Sequence, residues 1–331
     1  MDLTTGWFLV IAALWIGYFF LEGFDFGVGA LLPVLGRDDT ERRVLINTIG
    51  PVWDGNEVWL LAAIGGTFAA FPEWYASLLS GFYLPVLLIV VSLILRVVAF
   101  DYRGKRPSAA WRRGWDRCLM FGSVTPAFVW GVVFANLVRG VPLDSRHEFV
   151  GSVLDLLNPY ALVGGLATLL LFVLHGAVFL VLKTRGRIRS RARVLAGRIG
   201  LATLATTGGF LLWTQLHRGT PVTWILAGVT VAALVAALRA NRYGREGWAF
   251  VLTGTAVVAL ITVLFTALYP AVLPSTMDSA YSLTTTNAAA SPYALRIMTW
   301  VAALFTPLVM LYQAWTYWVF RRRIDVSDIP A

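Results

Sequence analysis

The sequence predicts an all-α integral membrane protein that crosses a bilayer about nine times. Three observations predict it. The chain is 58% hydrophobic, with a mean hydropathy of +0.72 and only 14% charged residues, which is far too apolar for a soluble protein of ordinary composition. Its apolar residues gather into separate runs, several longer than the roughly 18 to 20 residues that span a hydrocarbon core. Its Lys and Arg concentrate in the short loops between those runs.

Read against their punctuation, the runs place helices in order. The first, 7–35, is longer than the roughly 7 to 15 apolar residues of a cleavable signal and lacks a basic start, so it is expected to stay as a helix. The second, 51–71, opens with two acids, and the third, 76–100, carries Arg96 near its end. The fourth, 117–138, contains Cys118, and the fifth, 156–182, contains His175. Helices at 197–216, 221–239, 247–269 and 293–320 complete the set. No soluble domain, linker or low-complexity tract is left over.

Loops 36–50, 101–117, 183–198, 239–246 and 321–323 hold 22 of the 27 Lys and Arg. The opposite side holds only Arg139, Arg146, Arg218 and Arg296. By the positive-inside rule the N-terminus is outside and the C-terminus cytoplasmic, which demands an odd number of spans. A net charge of +9 would suggest nucleic acid in a soluble protein, but here the cations report topology. The run Lys183 to Arg198 is read as such an anchor, with anionic-lipid binding as the alternative. Trp7, Trp74, Trp111, Trp224, Trp300 and Trp318 fall near predicted boundaries, as an interfacial belt would.

An ionisable group inside a bilayer costs roughly 2.5 to 3.5 kcal/mol, so each asks for a partner or a task. Glu22 and Asp25 share one face of the first helix, and Asp54 and Glu57 repeat that spacing at the start of the second. Asp101 lies just beyond the third helix, whose Arg96 is expected to keep Asp54 ionised. At about 1.5 Å per residue, Asp101 falls at the cytoplasmic surface, Arg96 and Asp54 within about two turns of it, Glu57 deeper, and Asp25 and Glu22 near mid-membrane. Such a ladder of carboxylates suits a proton relay, since each acid can take and release a proton beside a neighbour. The bland alternative is an Arg96–Asp54 pair that merely fixes packing. One arginine cannot neutralise four carboxylates, however, which favours function for the set. Gly23, Gly27 and Gly29 are expected to permit close helix contact around Asp25.

The single Cys118 rules out an internal disulfide, a Cys-ligated iron–sulfur cluster and a multi-cysteine zinc site. His175 is the sole histidine inside a predicted span, with His147 and His217 on the outer side, so several bis-His haems are excluded. His175 reads first as a hydrogen-bonded packing residue and second as a single ligand or relay member. Phosphate loops, GxGxxG turns and HExxH motifs are missing, which leaves ATP-driven transport, dinucleotide binding and zinc proteolysis without support.

Several blocks carry a resemblance. Glu22-Gly-Phe-Asp-Phe-Gly-Val-Gly29, Arg37 with Asp39-Thr-Glu-Arg-Arg43, Pro51-Val-Trp-Asp-Gly-Asn-Glu-Val-Trp59, Ser80-Gly-Phe-Tyr83 and Phe100-Asp-Tyr-Arg103 resemble, in order and spacing, subunit II of the cytochrome bd quinol oxidases. His175-Gly-Ala and Lys183-Thr184 also look like that family. The likeness is dense over residues 18–140 and mostly topological after that.

The resemblance implies a haem-free subunit of an enzyme that oxidises membrane quinol and reduces oxygen to water. Its partner, subunit I, carries three haems, of b and d type, and the quinol site. The implied fold is two four-helix bundles plus one peripheral helix: 7–35, 51–71, 76–100 and 117–138; then 156–182, 197–216, 221–239 and 247–269; then 293–320. The implied location is the bacterial plasma membrane, with small accessory subunits and a bound quinone as further possible components. Carried onto matching positions, Asp54, Arg96, Asp25 and Asp101 belong to the family's proton path. Glu57 stands where some members have glutamine, and Glu22 where some have aspartate. A proton-coupled secondary transporter would use the same acids to bind a coupling ion. Against it, the acids crowd into the first three helices and have no counterpart in the second half.

Overall fold

A computed structural model describes residues 2–329. Among the described residues the chain forms eleven α-helices: α1 (Leu3–Leu35), α2 (Asp39–Ile49), α3 (Trp53–Ala70), α4 (Pro72–Gly81), α5 (Tyr83–Tyr102), α6 (Ala109–Arg139), α7 (Pro159–Lys183), α8 (Gly186–Arg218), α9 (Pro221–Arg242), α10 (Glu246–Leu268) and α11 (Pro292–Val319). Four of them, α4, α7, α9 and α11, begin with proline. There the fixed φ suits the first turn and the missing N–H costs no bond. Eight helices, α1 and α5 to α11, are long and apolar enough to cross a membrane. The 18-residue α3 falls outside that group, because Asp54 and Glu57 lower its hydropathy.

Three expectations about elements need correction. The predicted third helix, 76–100, is two helices broken at Phe82. Pro85 has no N–H for the carbonyl of Gly81, and its ring crowds that carbonyl. The loop 36–50 contains α2, capped by Asp38, whose side chain accepts from the Glu41 amide. The loop 183–198 forms the opening turns of α8, since arginine is a good helix former and its head stays in water. The all-α fold carries one short hairpin. Strands β1 (Ala271–Leu273) and β2 (Leu283–Thr284) pair antiparallel at the end opposite the arginine-rich loops.

α1 is the central post, with α3, α6, α7 and α10 packed around it, while α7, α8, α9 and α10 close on one another as a ring. The glycines of α1 set these distances. A Cβ on Gly27 would lie 2.1 Å from the carbonyl oxygen of Phe172 and 2.7 Å from the Cα of Gly176, and one on Gly29 would lie 2.0 Å from Ser123 Oγ. α11 lies outermost, with only Leu295 buried.

The arginine-rich end is fastened by acids. Asp116 accepts from Arg42 at 2.9 Å and Arg103 at 2.5 Å, and Asp39 from Arg103 at 2.8 Å and Arg112 at 2.5 Å. Glu41 pairs with Arg191, while Glu246 gathers Arg189, Arg193 and Arg323. Loops separated in sequence therefore meet at one end of the molecule.

Candidate functional site

Glu22 and Asp25 of α1 and Arg96 of α5 are all 0% exposed. Their burial follows from close helix approach. A Cβ on Gly122 of α6 would lie 2.6 Å from that of Arg96, so the glycine lets α5 lie flat on α6. Arg96 forms a buried ion pair with Glu22, and its guanidinium carbon sits 5.0 Å from the Phe26 ring and 5.8 Å from that of Phe100. Such aromatic faces favour a desolvated cation.

The expected Arg96–Asp54 pair is replaced by Arg96–Glu22. Trp53, at the start of α3, stacks on Phe100, near the end of α5, at 5.0 Å and 18°, so these helices run antiparallel. Helical side chains lean toward their own N-terminus. Arg96 therefore leans into the protein toward Glu22, whereas Asp54 leans out toward the arginine-rich end, where it is exposed. Asp101, the neighbour of Phe100, is exposed at the same end.

Glu57 is half-buried, and its Oε2 is enclosed without a hydrogen-bond partner. Glu22 Oε2, Asp25 Oδ1 and the Nε and Nη2 of Arg96 share that condition. Exposure thus falls from Asp54 and Asp101 through Glu57 to Glu22 and Asp25. Three enclosed carboxylates face one guanidinium, and a single positive charge cannot balance three negative ones. Enclosed oxygens without donors are costly unless protons or water serve them.

One residue of the site escaped the sequence reading. Asn56 is fully buried and donates through Nδ2 to Asp25 Oδ2 at 2.7 Å. Its Oδ1 accepts from the Tyr317 hydroxyl at 2.7 Å and from Gln313 Nε2 at 3.1 Å. α11 is thereby tied to the acid cluster through one amide. A signal was present: Asn56, Leu60, Ala63, Thr67 and Ala70 form the buried stripe of α3 at helical spacing.

His175 is fully buried apart from these acids, with Nδ1 2.8 Å from Thr253 Oγ1 and its ring stacked 4.8 Å from Phe250. Among the described residues, no group of three or more His, Cys, Asp or Glu is arranged to hold a metal ion.

Comparison with known proteins agrees with this architecture. Residues 3–320 match the family model described as cytochrome bd terminal oxidase subunit II. The chain is 42% identical over 327 residues to cytochrome bd ubiquinol oxidase subunit 2 of Bacillus subtilis (strain 168), covering 97% of each. It is 36% identical over 362 aligned positions to cytochrome bd-I ubiquinol oxidase subunit 2 of Escherichia coli (strain K12), covering 98% of this chain and 95% of that one. A chain of the bd oxidase structure from Geobacillus thermodenitrificans shares the fold, with a TM-score of 0.77 at 18% identity over 97% of this chain and 99% of that one. The blocks around Asp25 and Asp54 therefore sit in a sequence that is related along nearly its whole length, and this chain belongs to the cytochrome bd terminal oxidase subunit II family.

Proposed function

We propose that this chain is the haem-free subunit of a quinol-oxidising, oxygen-reducing membrane complex, and that it conducts protons from the cytoplasm toward the haem-bearing subunit I. The observation that carries this reading is the set of enclosed carboxylates, Glu22, Asp25 and Glu57, facing a single arginine. Asp54 and Asp101 take up protons at the exposed end, Glu57 passes them inward, and Glu22 and Asp25 hold them at depth beside Arg96. Arg96 stabilises one negative charge in the group, so that a proton can leave and be replaced without stranding a bare carboxylate in apolar surroundings. Three haems of b and d type belong to subunit I in this reading and supply the electron transfer. This chain offers three histidines, of which the buried one is engaged by Thr253.

In the same reading α3 is the ninth crossing, the arginine-rich end is cytoplasmic, and the helices divide into α1 with α3, α5 and α6, the ring α7 to α10, and peripheral α11. The test is Asp54→Asn, nearly isosteric but unable to titrate. It should leave the complex assembled with a normal haem spectrum and lower quinol-driven oxygen consumption about tenfold or more, the order associated with a positioned acid–base group. Normal turnover in an intact complex would show that Asp54 need not ionise. Because Asp54 is exposed and Arg96 is held by Glu22, loss of assembly is not expected from this variant.

A further inference from the structure

At the end opposite the arginine-rich loops, the C-terminal ends of α6 and α8 and the start of α7 enclose a cavity of about 470 Å³. Arg139, His217 and Arg218 line it, together with the rings of Tyr160 and Trp213. Neither arginine makes an ion pair or hydrogen bond among the described residues. That end of the protein has few cations to place, since only Arg139, Arg146, Arg218 and Arg296 lie on that side in the sequence. Half of them converge here without an acid.

Two arginines that line one cavity carry like charges that repel, and an anion bound there reverses the sign of the interaction. Their planar forks match phosphate oxygens. Of the uncharged polar groups, Tyr160 and Asn158 are already engaged. The Tyr160 hydroxyl lies 2.9 Å from Thr214 Oγ1, and the Asn158 side chain is committed to Asn136 and to capping α7. The arginines are therefore the permanent charges with bonds left to give, beside His217 and the indole N–H of Trp213, and an uncharged headgroup would leave both arginines uncompensated.

Position narrows the ligand further. Arg139 is the last residue of α6 and follows a buried run from Gly131 to Val138, which sets the cavity where a membrane helix reaches the headgroup level. From its rim, Pro159, Leu162 and Leu166 descend one exposed face of α7 at helical spacing. We propose that this cavity binds the phosphate of an anionic phospholipid whose acyl chains lie along that apolar face.

The test uses the purified complex containing this chain, stripped of lipid in detergent and titrated with phosphatidylglycerol while its thermal unfolding is followed. The wild-type complex should be stabilised, and R139Q/R218Q should need at least about tenfold more lipid for half the effect. R146Q/R296Q, which removes the same charge from the same side, should respond like the wild type. Phosphatidylcholine and inorganic phosphate should each give less than about a tenth of the shift. Equal responses in all three proteins would overturn the site, as would an equal loss in R146Q/R296Q. A full shift with inorganic phosphate alone would overturn the assignment to lipid.

Discussion

Asn56 shows how one uncharged side chain can govern a cluster of charged ones. Two donors on its Oδ1, from Tyr317 and Gln313, leave only Nδ2 to face Asp25. The orientation of the amide, and hence a donor for a buried carboxylate, is set from α11. Asn56→Leu should leave Asp25 Oδ2 without its donor, a loss of about 1–3 kcal/mol, and should slow oxygen consumption while the haem spectrum persists. Tyr317→Phe leaves Gln313 in place, so its loss of stability should be under half as large. Thermal unfolding and oxygen uptake of the two variants check this, and equal effects would refute the proposed hierarchy. The acids were legible in the sequence because charge within an apolar run is conspicuous. Asn56 was not, because an uncharged amide among apolar residues raises no comparable alarm. The partner of Arg96 was missed because spacing places a side chain on a face but does not say which way along the helix it leans.

Among the elements, helix interiors were legible and helix ends were not. Apolar runs report where a helix crosses, yet α8 continues for eleven residues through the Arg-rich run before residue 197, and α6 starts at Ala109 rather than 117. Propensity and capping extend these helices into water, where hydropathy carries no signal. The glycines around Asp25 were legible in role, though the helix they admit was not. Gly27 and Gly176 face each other so closely that a Cβ on either would come within about 2.7 Å of the other's backbone. The α1–α7 contact at that point is backbone on backbone. Gly27→Val should force the helices apart and open space beside Asp25, destabilising the complex by about 3 kcal/mol or more, above the common overpacking range because the obstructing atoms are backbone. A methyl group on Gly65 would meet nothing within 4 Å, so Gly65→Ala in α3 should be neutral or slightly stabilising. Comparable losses in both variants, read as thermal unfolding, would contradict a specific crossing at Gly27.

For the whole molecule, hydropathy and charge asymmetry specified a many-helix membrane protein, and the clustering of Asp39, Glu41, Asp116 and Glu246 with arginines from four of the five arginine-rich loops gives that asymmetry a three-dimensional location. The number of crossings turns on α3, which falls outside the eight helices apolar enough to cross yet whose buried stripe packs it on α1. If α3 lay on the surface instead of crossing, α1 and α5 would enter the membrane from opposite sides, and the two ends of the protein would no longer sort by charge. Single cysteines in a Cys118→Ser background test how the two ends sort after α3. Lys105, Ser190, Ser145 and Ala280 are all exposed, so labelling reports sidedness and not burial. Cysteines at 105 and 190 should be protected from impermeant reagents in intact cells and react once the membrane is opened, while those at 145 and 280 should react in both. A reversed pattern would put the arginine-rich end outside and remove the cytoplasmic origin of the protons. Reaction at both 105 and 145 in intact cells would mean an even number of crossings between them, and α6 rather than α3 would then be the helix to reconsider.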